Sequence, residues 1–186
     1  MSAPVDHRQG LLALVDRYES TYPKEQAMVQ RLRGFVMDNP GCFERSLGIG
    51  HVTGSAWVLD KTRGRVLLTH HKKLDIWVQL GGHADGESDV AAVAMREARE
   101  ESGISQIELL MPDIFDIDIH LIPARGDEPE HYHYDCRFAL VADTAEYVVS
   151  EESHDLAWIR LGEVARYTTE ESMMRMVGKT RELTRS

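Results

Sequence analysis

Three glutamates lie in one short segment whose spacing brings them to one side of a helix. Residues 81–104 read GGHADGESDVAAVAMREAREESGI, in which Glu97, Glu100 and Glu101 are separated by three and four positions. Such offsets share one face of an α-helix, and the apolar residues seven, four and three positions before Glu97 continue the same line. An apolar line normally faces the protein interior. Because clustered like charges near the interior repel each other and lose hydration, the pattern predicts a positively charged group beside them.

The same segment resembles the signature of a known enzyme family. Gly82 is followed by the run REAREESGI from Arg96 to Ile104. This is similar to the Nudix hydrolase signature, in which a glycine and a later glutamate precede Arg-Glu-x-x-Glu-Glu-x-Gly and an aliphatic residue. The surrounding strands are also similar to those of the family: one contains Trp77 before the glycine pair, and another contains Trp158 late in the domain. The resemblance covers about residues 50–165.

The resemblance implies a mixed β-sheet between helices and hydrolysis of a nucleoside diphosphate linked to another group. It implies a divalent cation, Mg²⁺ or Mn²⁺, and makes Glu97, Glu100 and Glu101 metal-binding and catalytic, with Gly82 offering its backbone oxygen. Oxygen ligands suit a hard cation, and metal ions neutralise a diphosphate while polarising phosphorus. The alternative is a solvated charged helix face, which the glycine pair before the helix and Gly103-Ile104 after it disfavour.

Two positions depart from the signature. Leu80 stands where the family usually has proline, and we expect it to loosen the turn. Ser88 occupies the place of the first glutamate, so the adjacent Glu87 is predicted to take over that role, while Ser88 caps the helix. Arg96 is predicted to form a structural ion pair, with Glu100 four residues later or with an acid in the loop.

A second group of polar residues lies on two segments that alternate with period two, 114–122 and 131–142. If these segments pair as a hairpin across PARGDEPE, their polar faces point to one side. Their histidines, aspartates and arginine suit metal ligation, proton transfer and phosphate contact. The alternative is a solvated sheet face. The predicted contacts to a second metal or to substrate are His83, Glu87, His120, His131, His133 and Asp135.

The general base is expected in the acidic loop SEESHD at 150–155. Glu152 is the preferred residue and Glu151 its neighbour. Two alternatives remain, that Glu97 itself activates water and that the loop is only an acidic surface.

The elements that must position these residues follow from periodicity and turn signals. Helices are predicted at about 6–20, 24–38, 89–102 and 169–179, and strands at 52–60, 65–70, 76–80, 114–122, 131–142 and 156–160. Gly103 should end the third helix, and Thr168 with Glu171 has the spacing of a capping box. The class is α+β, an α/β/α sandwich with a mixed sheet. Residues 1–45 form a helical extension and 46–186 the Nudix-like domain.

Composition narrows the function classes. A chain of 186 residues can bury one proper core. A net charge of −10 argues against nucleic-acid binding, although metal ions can bring a small phosphorylated substrate to an acidic protein. The sequence lacks a membrane-length apolar run and a signal pattern. Two isolated cysteines indicate a reducing compartment, so the cytoplasm is expected. The N-terminal helices pack on the domain or on a partner subunit in a homodimer.

Two other functions stay open at this point. An isopentenyl-diphosphate-isomerase-like enzyme would need a catalytic cysteine near the glycine-loop histidine, and neither Cys42 nor Cys136 has that context. A non-catalytic Nudix-like ligand-sensing domain is disfavoured by the intact glutamates. The substrate could be ADP-ribose, a dinucleoside polyphosphate, a nucleotide sugar, a damaged nucleotide or coenzyme A.

Overall fold

The computed structural model describes residues 6–72, 75–150 and 153–184. Its helices are α1 (Gln9–Thr21), α2 (Gln26–Asp38), α3 (Val90–Ser102) and α4 (Glu171–Leu183). Its strands are β1 (Gly50–Leu59), β2 (Arg65–His71), β3 (Ile76–Val78), β4 (Leu80–His83), β5 (Ile107–Leu109), β6 (Asp116–Ile122), β7 (His131–Ala142) and β8 (Ser153–Arg160). The part of the chain described contains no helix with the length and apolar character needed to cross a membrane.

The sheet is mixed, with two long parallel strands at its centre. β1 and β7 pair in parallel over ten residues, from Gly50 opposite Tyr132 to Leu59 opposite Val141. The remaining pairings are antiparallel: β2 and β4 share the other edge of β1, β5 and β6 share the other edge of β7, and β3 and β8 both pair with β2. The predicted hairpin between β6 and β7 is therefore confirmed.

The helices cover both faces of the sheet. Side chains alternate along a strand, and β1 is buried over its whole length. Val52 and Val58 join one core with residues of α1, α2 and α3, whereas Trp57 and Leu59 join a second core with α4. The predicted α+β class with an α/β/α sandwich is confirmed.

The two N-terminal helices pack on the sheet of this same chain. Leu11 and Val15 of α1 are buried in the core that contains α3. On α2, the Phe35 ring stacks on the Tyr134 ring with 3.7 Å between centroids and 5° between planes. The ring contact places α2 against β7, and the Tyr18 hydroxyl of α1 accepts the backbone N–H of Ile117 on β6 at 3.3 Å. The division of the chain at residue 46 stays a prediction.

The glycine pair lies on a strand and not in a turn. The predicted strand at 76–80 is split at Gln79, because β3 pairs with β2 whereas β4 pairs with β1. Leu80, which we expected to loosen a turn, is fully buried at the start of β4. β5 was not predicted.

The helix ends agree only in part with the sequence prediction. Gly103 ends α3 with a left-handed φ of 68°, as predicted. Asp89, not Ser88, is the N-cap, since its carboxylate accepts the backbone N–H of Ala92. No capping box forms before α4: Glu170 is the N-cap and its side chain makes no capping bond.

Candidate active site

Helix α3 lies directly against the central strand at a glycine. A Cβ at Gly54 would lie 2.8 Å from the backbone oxygen of Val90 and 2.9 Å from Cγ1 of Val93. Real Cβ atoms do not approach other atoms this closely, so only glycine allows the first turn of α3 to reach β1. The sheet therefore fixes where the following turns of α3, which carry the glutamates, must lie.

The glycine strand leaves room for one of those glutamates. A Cβ at Gly82 would lie 2.5 Å from both the carboxyl carbon and Oε2 of Glu97. The Glu97 carboxylate thus occupies space that any larger residue at position 82 would fill. Arg96 holds this arrangement, because its Nη2 donates to Glu97 Oε1 at 2.8 Å and to the His83 backbone oxygen at 3.1 Å. The ion-pair partner of Arg96 is Glu97 and not Glu100.

The three glutamates run from the interior to the surface. Glu101 is 8% exposed, Glu97 is half-buried and Glu100 is exposed. The stripe does continue the apolar face of α3, whose Val90, Val93 and other apolar residues are buried. The donor set consists only of carboxylate oxygens beside a glycine backbone, which fits a hard divalent cation such as Mg²⁺ or Mn²⁺.

The loop between β4 and α3 is held by acidic side chains. Asp85 accepts two bonds of 2.5 Å from the guanidinium of Arg45, which holds the pKa of Asp85 below its ordinary value. Glu87 accepts the backbone N–H of Asp89 at 2.9 Å, and Asp89 in turn caps the helix. Glu87 therefore lies at the start of α3, as predicted, where it holds the backbone of the N-cap residue Asp89.

Asp135 lies at the centre of a buried hydrogen-bond network. It is 1% exposed, and its carboxylate accepts bonds from Thr53 Oγ1 at 2.9 Å, Ser55 Oγ at 2.7 Å, Gln79 Nε2 at 3.2 Å and Arg137 Nε at 2.7 Å. Four donors from β1, β7 and the β3–β4 junction converge on it. Asp135 thereby fixes the relative positions of these strands.

Arg137 continues this network towards α4. Burial lowers its pKa, but the neighbouring carboxylates of Asp135, Asp118 and Asp116 outweigh burial, and the net direction is upward. Asp116 is fully buried and also binds Arg175 and Lys179 of α4, at 2.8 Å and 2.7 Å. The solvated-face alternative for the β6–β7 polar residues is wrong here, because their charges are buried and paired.

Histidines form a cluster beside the glycine strand. The strand registers place His51 of β1 and His120 of β6 on either side of His133 of β7. The ring of His51 lies 5.0 Å from those of His83 and His131 and 4.8 Å from that of His133. The His133 ring is 5.5 Å from that of His120. The structure thus brings together the four histidines selected from sequence.

His51 completes the cluster, and the sequence prediction missed it. The predicted strand began at residue 52, yet His51, Thr53 and Ser55 alternate with apolar residues in a way that marks one polar face of β1. The histidine is 1% exposed, and neither of its ring nitrogens has a hydrogen-bond partner within the described structure.

Burial keeps the central imidazoles neutral. It lowers the pKa of His51 to about 4, with a further contribution from His83 and His131, and it lowers the pKa of His133 to about 2, together with His51 and His120. The Nδ1 atom of His120 lies 3.0 Å from Asp118 Oδ2, and the His120 side chain is 41% exposed.

Glu152 and Glu151, the predicted general base and its neighbour, lie outside the described residues. Ser153, the first residue described after them, is buried, with its hydroxyl 2.6 Å from that of Thr69.

A family model described as the NUDIX domain matches residues 51–177. The chain belongs to the Nudix family. Solved structures share its fold: a C. elegans Ap4A hydrolase binary complex (18% identity, TM-score 0.58, 72% of this chain and 97% of that one) and a NUDIX family hydrolase from Clostridium perfringens (22%, 0.57, 72% and 97%). The E. coli dihydroneopterin triphosphate pyrophosphohydrolase is also similar (16%, 0.54, 69% and 92%). No curated protein matches this Nudix chain in sequence.

Proposed function

We propose that this Nudix protein hydrolyses the pyrophosphate bond of a nucleoside diphosphate linked to another group, with Mg²⁺ or Mn²⁺. The observation that carries the proposal is the placement of the Glu97 carboxylate against Gly82. Arg96 supports this placement, because it donates hydrogen bonds to Glu97 of α3 and to the His83 backbone oxygen of β4. Proteins of similar fold include an Ap4A hydrolase and a dihydroneopterin triphosphate pyrophosphohydrolase. Because those two proteins act on small phosphorylated molecules, they support a substrate of the same kind for this chain.

The glutamates and the glycine strand would hold the cation. Glu97, Glu100 and Glu101 supply carboxylate oxygens and Gly82 its backbone oxygen, which is a donor set suited to Mg²⁺ or Mn²⁺. When bound, such a cation neutralises the phosphate charges and polarises phosphorus towards attack. Arg96 keeps the Glu97 carboxylate on the glycine strand, and Asp135 keeps the strands beneath it in register.

The reaction is a displacement at one phosphorus atom. Water adds to that phosphorus, the bond to the bridging oxygen breaks, and the departing phosphate takes the bonding electron pair. A carboxylate accepts the proton that water loses. We assign this proton transfer to Glu152 or its neighbour Glu151, with Glu97 as the alternative within the glutamate stripe.

Conservative substitutions test the glutamate assignment. Glu100→Gln and Glu101→Gln each remove one charged ligand without changing volume, so turnover should fall by at least about a hundredfold. Thermal stability without metal should stay level or rise, because repulsion between the carboxylates is relieved. Glu108→Gln on β5 is the matched control and should retain full activity. Near wild-type turnover in either glutamine variant would contradict the assignment.

The buried cysteines speak against the isomerase alternative. Cys42 and Cys136 are both fully buried. Burial raises the pKa of Cys42 to about 11 and moves that of Cys136 higher still, so neither is a ready thiolate. The sensor alternative is tested by turnover itself: release of phosphorylated products from the five candidate substrate classes with Mg²⁺ or Mn²⁺ would exclude a protein that only binds.

A further inference from the structure

Three imidazoles converge in the histidine cluster, and the proposed hydrolysis uses none of them. One ring nitrogen from each of His51, His131 and His133 lies within 4.8 Å of the other two. We propose that these three histidines form a second cation site, separate from the glutamates, which binds a divalent ion of the zinc class. Nitrogen donors favour such ions over Mg²⁺, which prefers oxygen ligands.

The spacing of two of the nitrogens already matches a tetrahedral ion. His131 Nε2 lies 3.3 Å from His133 Nε2. Two nitrogens at the usual Zn–N length, with a tetrahedral angle between them, are about 3.3 Å apart. The ends of the two rings are therefore as far apart as two ligands of one Zn²⁺ should be.

The backbone fixes the orientation of one ring. His131 Nδ1 lies 2.8 Å from the carbonyl oxygen of Pro129. A carbonyl oxygen can only accept, so Nδ1 carries the proton and Nε2 carries the lone pair, which faces His133 Nε2 at 3.3 Å. Histidines that bind metals commonly donate their other N–H to a backbone carbonyl or a carboxylate. The ring is thus held in the tautomer that a cation needs.

The third ring of the proposed site belongs to His51, which is buried without a hydrogen bond in the described structure. His51 is 1% exposed and neither nitrogen has a partner within the described structure. A buried polar group without a partner is unfavourable, and coordination would satisfy one of these nitrogens. The groups facing the cluster are the imidazoles of His83 and His120 and the carboxylate of Glu128, whose Oε1 lies 4.0 Å from His131 Nε2. None of them forms a hydrogen bond with His51 in the described structure.

Three protein nitrogens leave one tetrahedral position open for water or for a phosphate oxygen. The cluster adjoins the glutamate site through β4, where His83 follows Gly82 and its ring lies 5.0 Å from that of His51. Imidazole ligands are neutral, so they would not offset the charge of a dication bound next to the proposed glutamate site.

Metal binding to the full-length protein tests the site without any hydrolysis assay. Protein stripped with EDTA is titrated with Co²⁺, followed by the visible absorption of four-coordinate Co²⁺, and with Zn²⁺, followed by metal analysis after dialysis. Wild type should hold one equivalent of either ion at this site. His131→Ala and His133→Ala should each weaken binding by at least about a hundredfold, since even the partners of metal ligands account for about 10–100-fold. His154→Ala removes an exposed histidine outside the cluster and should change nothing.

The site would be overturned if wild type bound no Zn²⁺ or Co²⁺, or if the His131→Ala, His133→Ala double variant bound either ion as well as wild type does. Loss of the buried His51 ring could impair folding, so the two β7 variants carry the test, each confirmed as folded by circular dichroism. Glu97→Gln with Glu101→Gln should keep the Co²⁺ absorption. If these glutamate changes abolish it, the ion sits on the glutamates and the histidine site is wrong, whatever the outcome for hydrolysis.

Discussion

Substituting Gly82 by alanine should separate catalysis from folding. The new Cβ would lie 2.5 Å from the carboxyl carbon of Glu97 and 2.9 Å from its Oε1. Ordinary contacts of this kind are about 3.5 Å, so the carboxylate must move by about 1 Å. A misplacement of that size at a reacting centre costs about a hundredfold in rate. The atoms that move are the end of a flexible side chain, and we expect the free energy of unfolding to change by less than about 1 kcal/mol.

Two other glycines provide the comparison. Gly54→Ala places a Cβ 2.8 Å from the backbone oxygen of Val90, so α3 itself must shift and stability should fall by about 1–3 kcal/mol. Gly178→Ala in α4 meets no atom within 4 Å and should leave turnover unchanged. Steady-state kinetics with Mg²⁺ and urea unfolding give both quantities for each variant. The proposed contact between Glu97 and the glycine strand would be refuted by wild-type turnover in Gly82→Ala. It would also be refuted if the fraction of unfolded variant accounted for the whole loss of rate.

Three further predictions test the supporting structure. Asp60 accepts bonds from Thr62, from the backbone N–H of Gly64 and Arg65, and from the Arg65 side chain. Burial raises its pKa, but these donors outweigh burial and lower it, so the stabilisation is present above about pH 4 and is lost as pH falls through the folded pKa. Asp60→Asn should destabilise by roughly 1–3 kcal/mol at pH 7, and this difference from wild type should shrink below about pH 4 in urea unfolding; a pH-independent difference would contradict it. Asp89→Ala should remove about 1 kcal/mol through loss of the N-cap, whereas Ser88→Ala should not. Glu87→Gln should lower turnover beyond its effect on stability if Glu87 has the role of the missing signature glutamate; unchanged kinetics would leave it as a structural residue.

Strong periodicity made much of the fold predictable. The β6–β7 hairpin followed from two alternating segments, because a two-residue period fixes which side chains share a face. Helix α3 followed from its apolar line and from Gly103, whose φ of 68° is the expected C-terminal signal. Local sequence carries both kinds of information, so no tertiary contact was needed to find them.

Other features depend on contacts between distant segments. The break at Gln79 arises because the chain changes its partner strand there, which the continuous run IWVQL does not indicate. β5 is three residues long and forms through its pairing with Leu140, Val141 and Ala142. Tertiary geometry decides both of these features. The N-cap is a local choice instead: Asp89, not Ser88, accepts the backbone N–H of Ala92, and Glu87 accepts the backbone N–H of Asp89.

The candidate site was predictable in its residue types more than in its arrangement. The glutamate stripe and the histidines on β6 and β7 came from spacing alone. That Arg96 pairs with Glu97 depends on the packing of α3 against β4, and the inclusion of His51 depends on the parallel register between β1 and β7. Asp135 was selected from the sequence, but its hydrogen-bond partners required the fold, because the hydroxyls that bind it come from a strand some eighty residues earlier.

Hydrolysis in ¹⁸O-labelled water tests the central claim most directly. Wild-type protein with Mg²⁺ or Mn²⁺ should convert at least one of the candidate nucleoside diphosphate derivatives into two phosphorylated products, one of them carrying a single ¹⁸O by mass spectrometry. Glu101→Gln should lower that rate by at least about a hundredfold while remaining folded. No metal-dependent product from wild type with any candidate substrate, or full activity in Glu101→Gln, would contradict the account.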